Sequence, residues 1–464
     1  MALKTNARYL APVLWSAALA GLAGCAPPQD VPSPSAGRFD ASSYVAVGDG
    51  YSSGFSAGGL TRTGQLYSFP ALLARQVRLT GATADFPQAL LPEGPGTGYL
   101  VFSGFDASVL RLPRGRRVAG QASTLLINAN TCGGPDTVRQ FARTDGGAGQ
   151  QLGVPGLRLN QIETLGYGNA GRASAGAGFN PYFERVLPAG ANTTYLQAVT
   201  AAAAPATFFT YFAGLDDILP FVRSGGTCRT LPTGTALNTN AKKLLDVLTA
   251  NNRKGIVALL PPLGALPLLN LGQADSLQNQ YLAKGDTAHV YVYVAQFRSA
   301  QRAITTDFIL APAVARLGQL MPVLVNGQVL QLPYGRDSRN PVADADVIDR
   351  REYETLQTLL RNHNTYLTTL TRDTYRMPVL NVSIGSSALN LDNEVFYKIS
   401  SQLFIGGVAY SDVPVRGGLY SLDYYSFTPR GNGLLANAFI RALNTAYGAN
   451  IPAIDINALP TTAQ

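Results

Sequence analysis

Four short apolar runs, Tyr44 to Val47, Thr207 to Ala213, Ile256 to Leu260 and Val379 to Val382, constrain what this chain can fold into more than any other feature. Each has the length of a strand, and none alternates apolar with polar residues, so each must be covered on both faces. Such strands belong to parallel sheets lying between helices, and helical patterns separate the runs. The clearest helix spans Glu352 to Asp373, with Tyr353, Leu356, Leu360, Leu367 and Leu370 on one face. A second spans Pro429 to Tyr447, with Thr428 as N-cap, Pro429 at the first helical position, and Leu434, Leu435, Ala438, Phe439, Ala442 and Leu443 at helical spacing. The run Ala201 to Ala204 belongs to a helix as well. Turn-rich stretches near 81–150, 166–190 and 321–345 are too long for ordinary connections and read as insertions. The expectation is an α/β domain with a buried parallel sheet and long loop insertions.

Composition removes several function classes. Of 464 residues, 46% are hydrophobic and 14% charged, which excludes a disordered chain. The formal charge is +8, but the basic residues are dispersed apart from Arg111, Arg114, Arg116 and Arg117. No aromatic residues interleave with that cluster, so it reads as a solvated loop, and nucleic acid is not an expected partner. His289 and His363 are the two histidines, and no Cys/His cluster has ligand spacing, so neither a metal nor another cofactor is expected. His363 shares the apolar face of its helix and reads as a packing residue. His289 lies in an alternating Val/Tyr stretch and reads as a strand residue.

The N-terminus sets the compartment. Lys4 and Arg8 precede an apolar run from Tyr9 to about Leu22, shorter than a bilayer requires, so residues 1–24 read as a secretory signal peptide. The run ends in Leu22-Ala23-Gly24-Cys25, which resembles a bacterial lipobox and implies cleavage before Cys25, acylation of its thiol and membrane anchoring through that lipid. Ordinary secretion with Cys25 as a plain thiol is the alternative. Residues 25–40, rich in Pro and Ser, then form a lipidated tether, and residues 41–464 a single domain. Lipidation of Cys25 leaves Cys132 and Cys228 as a pair in an oxidising compartment, where a disulfide is expected and two free thiols are the alternative. The expected location is the cell envelope, at the outer membrane on its periplasmic or surface face.

After the first strand comes Val47-Gly48-Asp49-Gly50-Tyr51-Ser52-Ser53-Gly54, then Gly64-Gln65-Leu66-Tyr67. Further on stand Leu152-Gly153-Val154-Pro155-Gly156, Gly214-Leu215-Asp216-Asp217, and Tyr420-Ser421-Leu422-Asp423 leading to Thr428-Pro429-Arg430-Gly431. These blocks, in this order, resemble the SGNH or GDSL-type hydrolases, particularly the long lipoprotein members found in Bacteroidetes-like bacteria. The resemblance covers about Tyr44 to Ile456 and implies a flavodoxin-like three-layer sandwich. It also implies ester hydrolysis by a serine after Gly-Asp, with an Asp-x-x-His base and an oxyanion held by a glycine amide and an asparagine.

Carried over position by position, the nucleophile falls on Gly50, which has no side chain. The asparagine falls on Asp216, which when ionised accepts hydrogen bonds and repels an oxyanion. The base falls on Ser426, which does not titrate near neutrality. Gly156 and the orienting Asp423 match. Ser52 and Ser53 are fallback nucleophiles, displaced along the chain and lacking a base. Asp216 and Asp423, with Tyr425 and Ser426 nearby, are expected at one pocket mouth, as a carboxylate-lined cleft for a carbohydrate or another small molecule, unless Tyr51 or Tyr425 fills it. Asp49 and Asp217 are expected to support loops. The reading is an envelope-anchored, non-catalytic binding or structural protein of the serine ester hydrolase class. The alternative is an active esterase or carbohydrate deacetylase with a rearranged serine nucleophile.

Overall fold

The computed structural model describes residues 33–463, apart from 122–124, 129–135, 144–146, 148, 176–177, 229 and 383–402. The signal peptide, Cys25 and Cys132 therefore lie outside the described residues. Pro34–Gln464 packs as one compact unit. Residues 34–40, assigned to the tether from their composition, join this fold: Ser35 pairs with Asn450, the Arg38 amide donates to the Tyr447 carbonyl, and Phe39 is buried. The apolar Phe39 ring, stacked edge-on to Phe208, outweighs the flexible composition around it.

Five strands form the central sheet: β1 (Tyr44–Gly48), β2 (Gln151–Gly153), β3 (Phe208–Phe212), β4 (Lys254–Ala258) and β5 (Val379–Leu380). All pair in parallel, in the order 2-1-3-4-5. The four apolar runs are β1, β3, β4 and β5, while β2, three residues with glutamine at its head, carries too short a pattern to stand out. Side chains alternate across the sheet. Tyr44, Ala46, Phe208, Phe212, Ile256 and Ala258 enter one core, and Val45, Val47, Phe209, Tyr211 and Val257 enter the other. Double-sided burial explains why the runs lack polar alternation. The polar exception, Thr210, is buried with its Oγ1 2.6 Å from the Tyr44 hydroxyl.

Helices cover both faces, so the domain has three layers. On the first face lie α2 (Phe69–Arg78) and α6 (Pro429–Tyr447), locked by stacked rings of Phe69 and Phe439 4.6 Å apart. On the second lie α3 (Tyr195–Ala203) and α4 (Gly234–Thr249), with α5 (Arg350–Thr369) packed along α4. A short helix, α1 (Gly50–Ser53), follows β1 directly. The Thr428 side chain accepts from the Gly431 amide, 3.2 Å away, and Pro429 opens α6, which ends at Gly448 in the left-handed conformation. The α5 helix starts earlier than its apolar face suggests, because Asp349 and Glu352 form a capping box, each side chain accepting from the other's amide at 3.0 Å.

His363 on α5 is fully buried, with Nδ1 2.7 Å from Asn238 Oδ1 on α4. Burial holds its pKa down to about 4, so it stays neutral and serves packing. His289 precedes a strand (Tyr291–Val294) instead of lying in it. The turn-rich insertions carry antiparallel ribbons of their own, among them Gly98–Phe105 with Pro113–Ala119, and Leu320–Val325 with Gln328–Pro333. The arginine cluster thus stands on a ribbon and its turn, because residues 113–119 are held by backbone pairing. Cys228 is disulfide-bonded. No helix of the described residues is long and apolar enough to cross a membrane.

Candidate functional site

In an open parallel sheet, ligands collect at the carboxyl ends of the strands where the strand order reverses. Here that point lies between β1 and β3, and the segments that leave β1, β2 and β3 meet there. Asp49 leaves β1 and is 2% exposed. Its Oδ2 accepts from the amides of Gly214 (3.1 Å), Leu215 (2.9 Å) and Asp216 (3.3 Å), and its Oδ1 from Tyr51 (3.3 Å). One carboxylate therefore shapes the loop after β3 and caps α1. Burial, and then the nearby charge of Asp216, hold the Asp49 pKa well above the usual carboxylate range.

The loop so held turns Asp216 back toward β1. Its Oδ2 accepts from the Gly156 amide at 2.7 Å and the Gly50 amide at 3.0 Å. Gly156 has a φ of 74°, a left-handed conformation that glycine adopts without strain and that aims its N–H inward. Two backbone donors from segments far apart in sequence thus converge on one carboxylate oxygen. Burial raises the Asp216 pKa, while those two amides and the charge of Arg223 oppose the rise. Its Oδ1 accepts no hydrogen bond among the described residues.

The pocket at this point has a volume of about 240 Å³ and is lined by Gly50, Tyr51, Phe55, Pro155, Gly156, Tyr182, Asp216, Arg223, Tyr425 and Ser426. Tyr51 and Tyr425 are walls and do not fill it, since the Tyr51 hydroxyl is tied to the Tyr425 carbonyl. The cleft is not lined by two carboxylates as expected. Asp423 is withdrawn behind Ser426: its Oδ1 accepts from the Ser426 amide (2.8 Å), the Tyr425 amide (3.1 Å) and Ser421 Oγ (3.0 Å). Its Oδ2 accepts from the Gly58 amide (2.8 Å) and Ser426 Oγ (2.5 Å). Five donors satisfy both oxygens, so nothing draws this carboxylate toward solvent.

Ser52 and Ser53 are 0% and 2% exposed, and neither lines the pocket. Ser52 Oγ donates to the Phe212 carbonyl at 3.3 Å, and Ser53 Oγ to the Gly50 carbonyl at 2.7 Å. A hydroxyl held on a carbonyl, with no base beside it, is no nucleophile. Sequence reasoning missed Phe55, Tyr182 and Arg223. The turn Asn180-Pro181 is visible as a helix start, and Asn180 Oδ1 does accept from the amides of Tyr182 and Phe183. Nothing in that signal says the turn sits over the end of β1. Arg223, after a short helix (Leu219–Val222), carries no local signal at all.

Asp217 faces away from the pocket, its Oδ2 accepting from the Leu159 amide at 2.8 Å, and burial raises its pKa to about 7. A raised carboxyl pKa contributes stability below its unfolded value, near 4, and that contribution is lost as pH rises to about 7. Asp217→Asn keeps an acceptor and removes the titration. Its melting temperature, relative to the parent's, is therefore expected to climb between pH 4 and pH 7, by the equivalent of a few kcal/mol. A separation that stays constant with pH would remove the assignment.

The fold and site together define a doubly wound α/β protein with an aromatic-walled pocket at its switch point and a carboxylate seated on two converging amides. Among the described residues, no group of three or more His, Cys, Asp or Glu side chains is placed to hold a metal. No family model, no curated protein and no solved structure matches the chain.

Proposed function

We propose that this chain is an envelope lipoprotein, anchored through Cys25, whose flavodoxin-like SGNH-hydrolase domain binds a ligand and does not hydrolyse one. The observation that carries the reading is the seat of Asp216 Oδ2, 2.7 Å from the Gly156 amide and 3.0 Å from the Gly50 amide. An ester hydrolase leaves such donors open for the oxygen that becomes negative in the transition state. Here a fixed carboxylate oxygen already occupies them and would repel that charge. Gly50 supplies no attacking atom, and Ser426, on Asp423 where a histidine would accept a proton, supplies no base. What is left is an open, aromatic pocket, which suits retention of a small molecule. The N-terminal signal and the Leu22-Ala23-Gly24-Cys25 tetrapeptide support the anchored location.

The purified protein, treated with a serine-reactive fluorophosphonate and mapped by peptide mass spectrometry, is expected to carry no adduct and to leave p-nitrophenyl acetate at its background rate. An adduct at Ser52, Ser53 or any other single serine, with matching turnover, would establish a rearranged hydrolase instead. Acylation of Cys25, read from the N-terminal peptide of the membrane fraction, tests the anchor separately.

A further inference from the structure

The pocket has a chemical character beyond being open. Phe55 stands between two other rings of the wall, 6.1 Å from Tyr182 and 6.5 Å from Tyr425 between centroids. The Arg223 guanidinium lies 5.4 Å from the centre of the Tyr425 ring. These rings offer flat apolar faces, and Asp216 Oδ1 offers a hydrogen-bond acceptor with no donor among the described residues. A ligand that uses both has a flat face and hydroxyl donors, as a sugar ring does.

Charge at the mouth narrows the class. Arg223 is exposed and makes no ion pair among the described residues. Arg223 lines the pocket together with Tyr182, and its charge opposes the rise in the Tyr182 pKa that burial causes. The mouth thus has one exposed guanidinium, that of Arg223, with no ion-pair partner among the described residues, and the carboxylate inside is already engaged by two amides. Guanidinium groups bind carboxylates and sulfates by paired, charge-assisted hydrogen bonds.

We infer that the pocket takes an acidic saccharide, with one sugar ring against the aromatic wall, a ring hydroxyl donating to Asp216 Oδ1, and the anionic substituent of that ring on Arg223. This rests on the non-catalytic reading of the site and names its ligand class. The test compares a galacturonic acid trimer with its fully methyl-esterified counterpart by isothermal titration calorimetry, because esterification removes the charge and keeps the ring. The acidic trimer is expected to bind at least about tenfold more tightly, and Arg223→Gln is expected to weaken it about tenfold while weakening the ester by much less. Equal affinity for the two trimers overturns the inference, and so does binding of neither. The ester recovered from the cell is then weighed by mass spectrometry. Intact ester leaves the non-catalytic reading standing whatever the affinities, whereas released methanol overturns that reading itself.

Discussion

Combining Gly50→Ser, Asp216→Asn and Ser426→His is expected to give a protein that takes a single fluorophosphonate label, on the introduced serine, where the parent is expected to take none. Each change supplies one missing atom. A Cβ at Gly50 would lie 3.2 Å from Asp216 Oδ2 and 3.8 Å from its Oδ1, tight but aimed at the pocket, and Gly50 is not in a left-handed conformation. Asn at 216 removes the charge that now fills the amide cradle and adds a donor facing the same point. An imidazole at 426 would extend into the cavity from a backbone already held by Asp423, whose Oδ2 sits 2.5 Å from the present hydroxyl. Omitting Asp216→Asn or Ser426→His is expected to cost about 10² to 10⁴ in the rate of labelling, since base and oxyanion donor act with the nucleophile as a unit. Gly50→Ser alone should stay unlabelled. A folded triple variant that also takes no label would show that these positions are not those of a hydrolase site, and the family resemblance would lose its main support.

The second large effect concerns Asp49. Its carboxylate accepts four amides from two segments, and it is buried. Asp49→Ala leaves all four donors without an acceptor in a site closed to water, and the expected loss is about 3 to 5 kcal/mol of stability. Asp49→Asn keeps one oxygen, which can serve the three amides of Gly214, Leu215 and Asp216, and loses the bond to Tyr51. It also removes a charge that burial already disfavours, as the raised pKa of Asp49 records. Its expected cost is less than half that of the alanine. Denaturant midpoints at pH 7 measure both, and equal losses would mean that charge, not hydrogen bonding, holds the loop. The alanine variant should also lose the seat of Asp216, because the loop that carries it would no longer be pinned to β1.

Much of the framework is readable along the chain. The runs at Tyr44, Thr207, Ile256 and Val379 become strands because a stretch that is apolar on both faces has nowhere else to be buried. The helix from Pro429 to Tyr447 has matching ends because Thr428, Pro429 and Gly448 act within one turn of themselves. The strand Gln151–Gly153 shows the limit. It is short, it begins with a polar residue, and its place at the sheet edge comes from pairing with Tyr44–Gly48 more than a hundred residues earlier in the chain.

The site divides along the same line. Which atoms of the resembled hydrolases these positions lack is a property of single residues: Gly50 has no hydroxyl, Ser426 no ring nitrogen, and the Asp216 side chain no amide, whatever surrounds them. Where the remaining groups point was decided by the tertiary structure. The expected pair of carboxylates facing one cleft became one, because the donors that turn Asp423 inward include Gly58, 365 residues away. Asp216 reaches Gly50 across 166 residues and Gly156 across 60, a meeting made by the strand order 2-1-3-4-5 and by no local pattern. Arg223 stands at the pocket through the end of a short helix that carries no sequence signal for it. Propensity and capping act over a turn of chain, so sequence carries them. Convergence of charges and donors depends on how layers stack, and only the packed sheet and its helices set it.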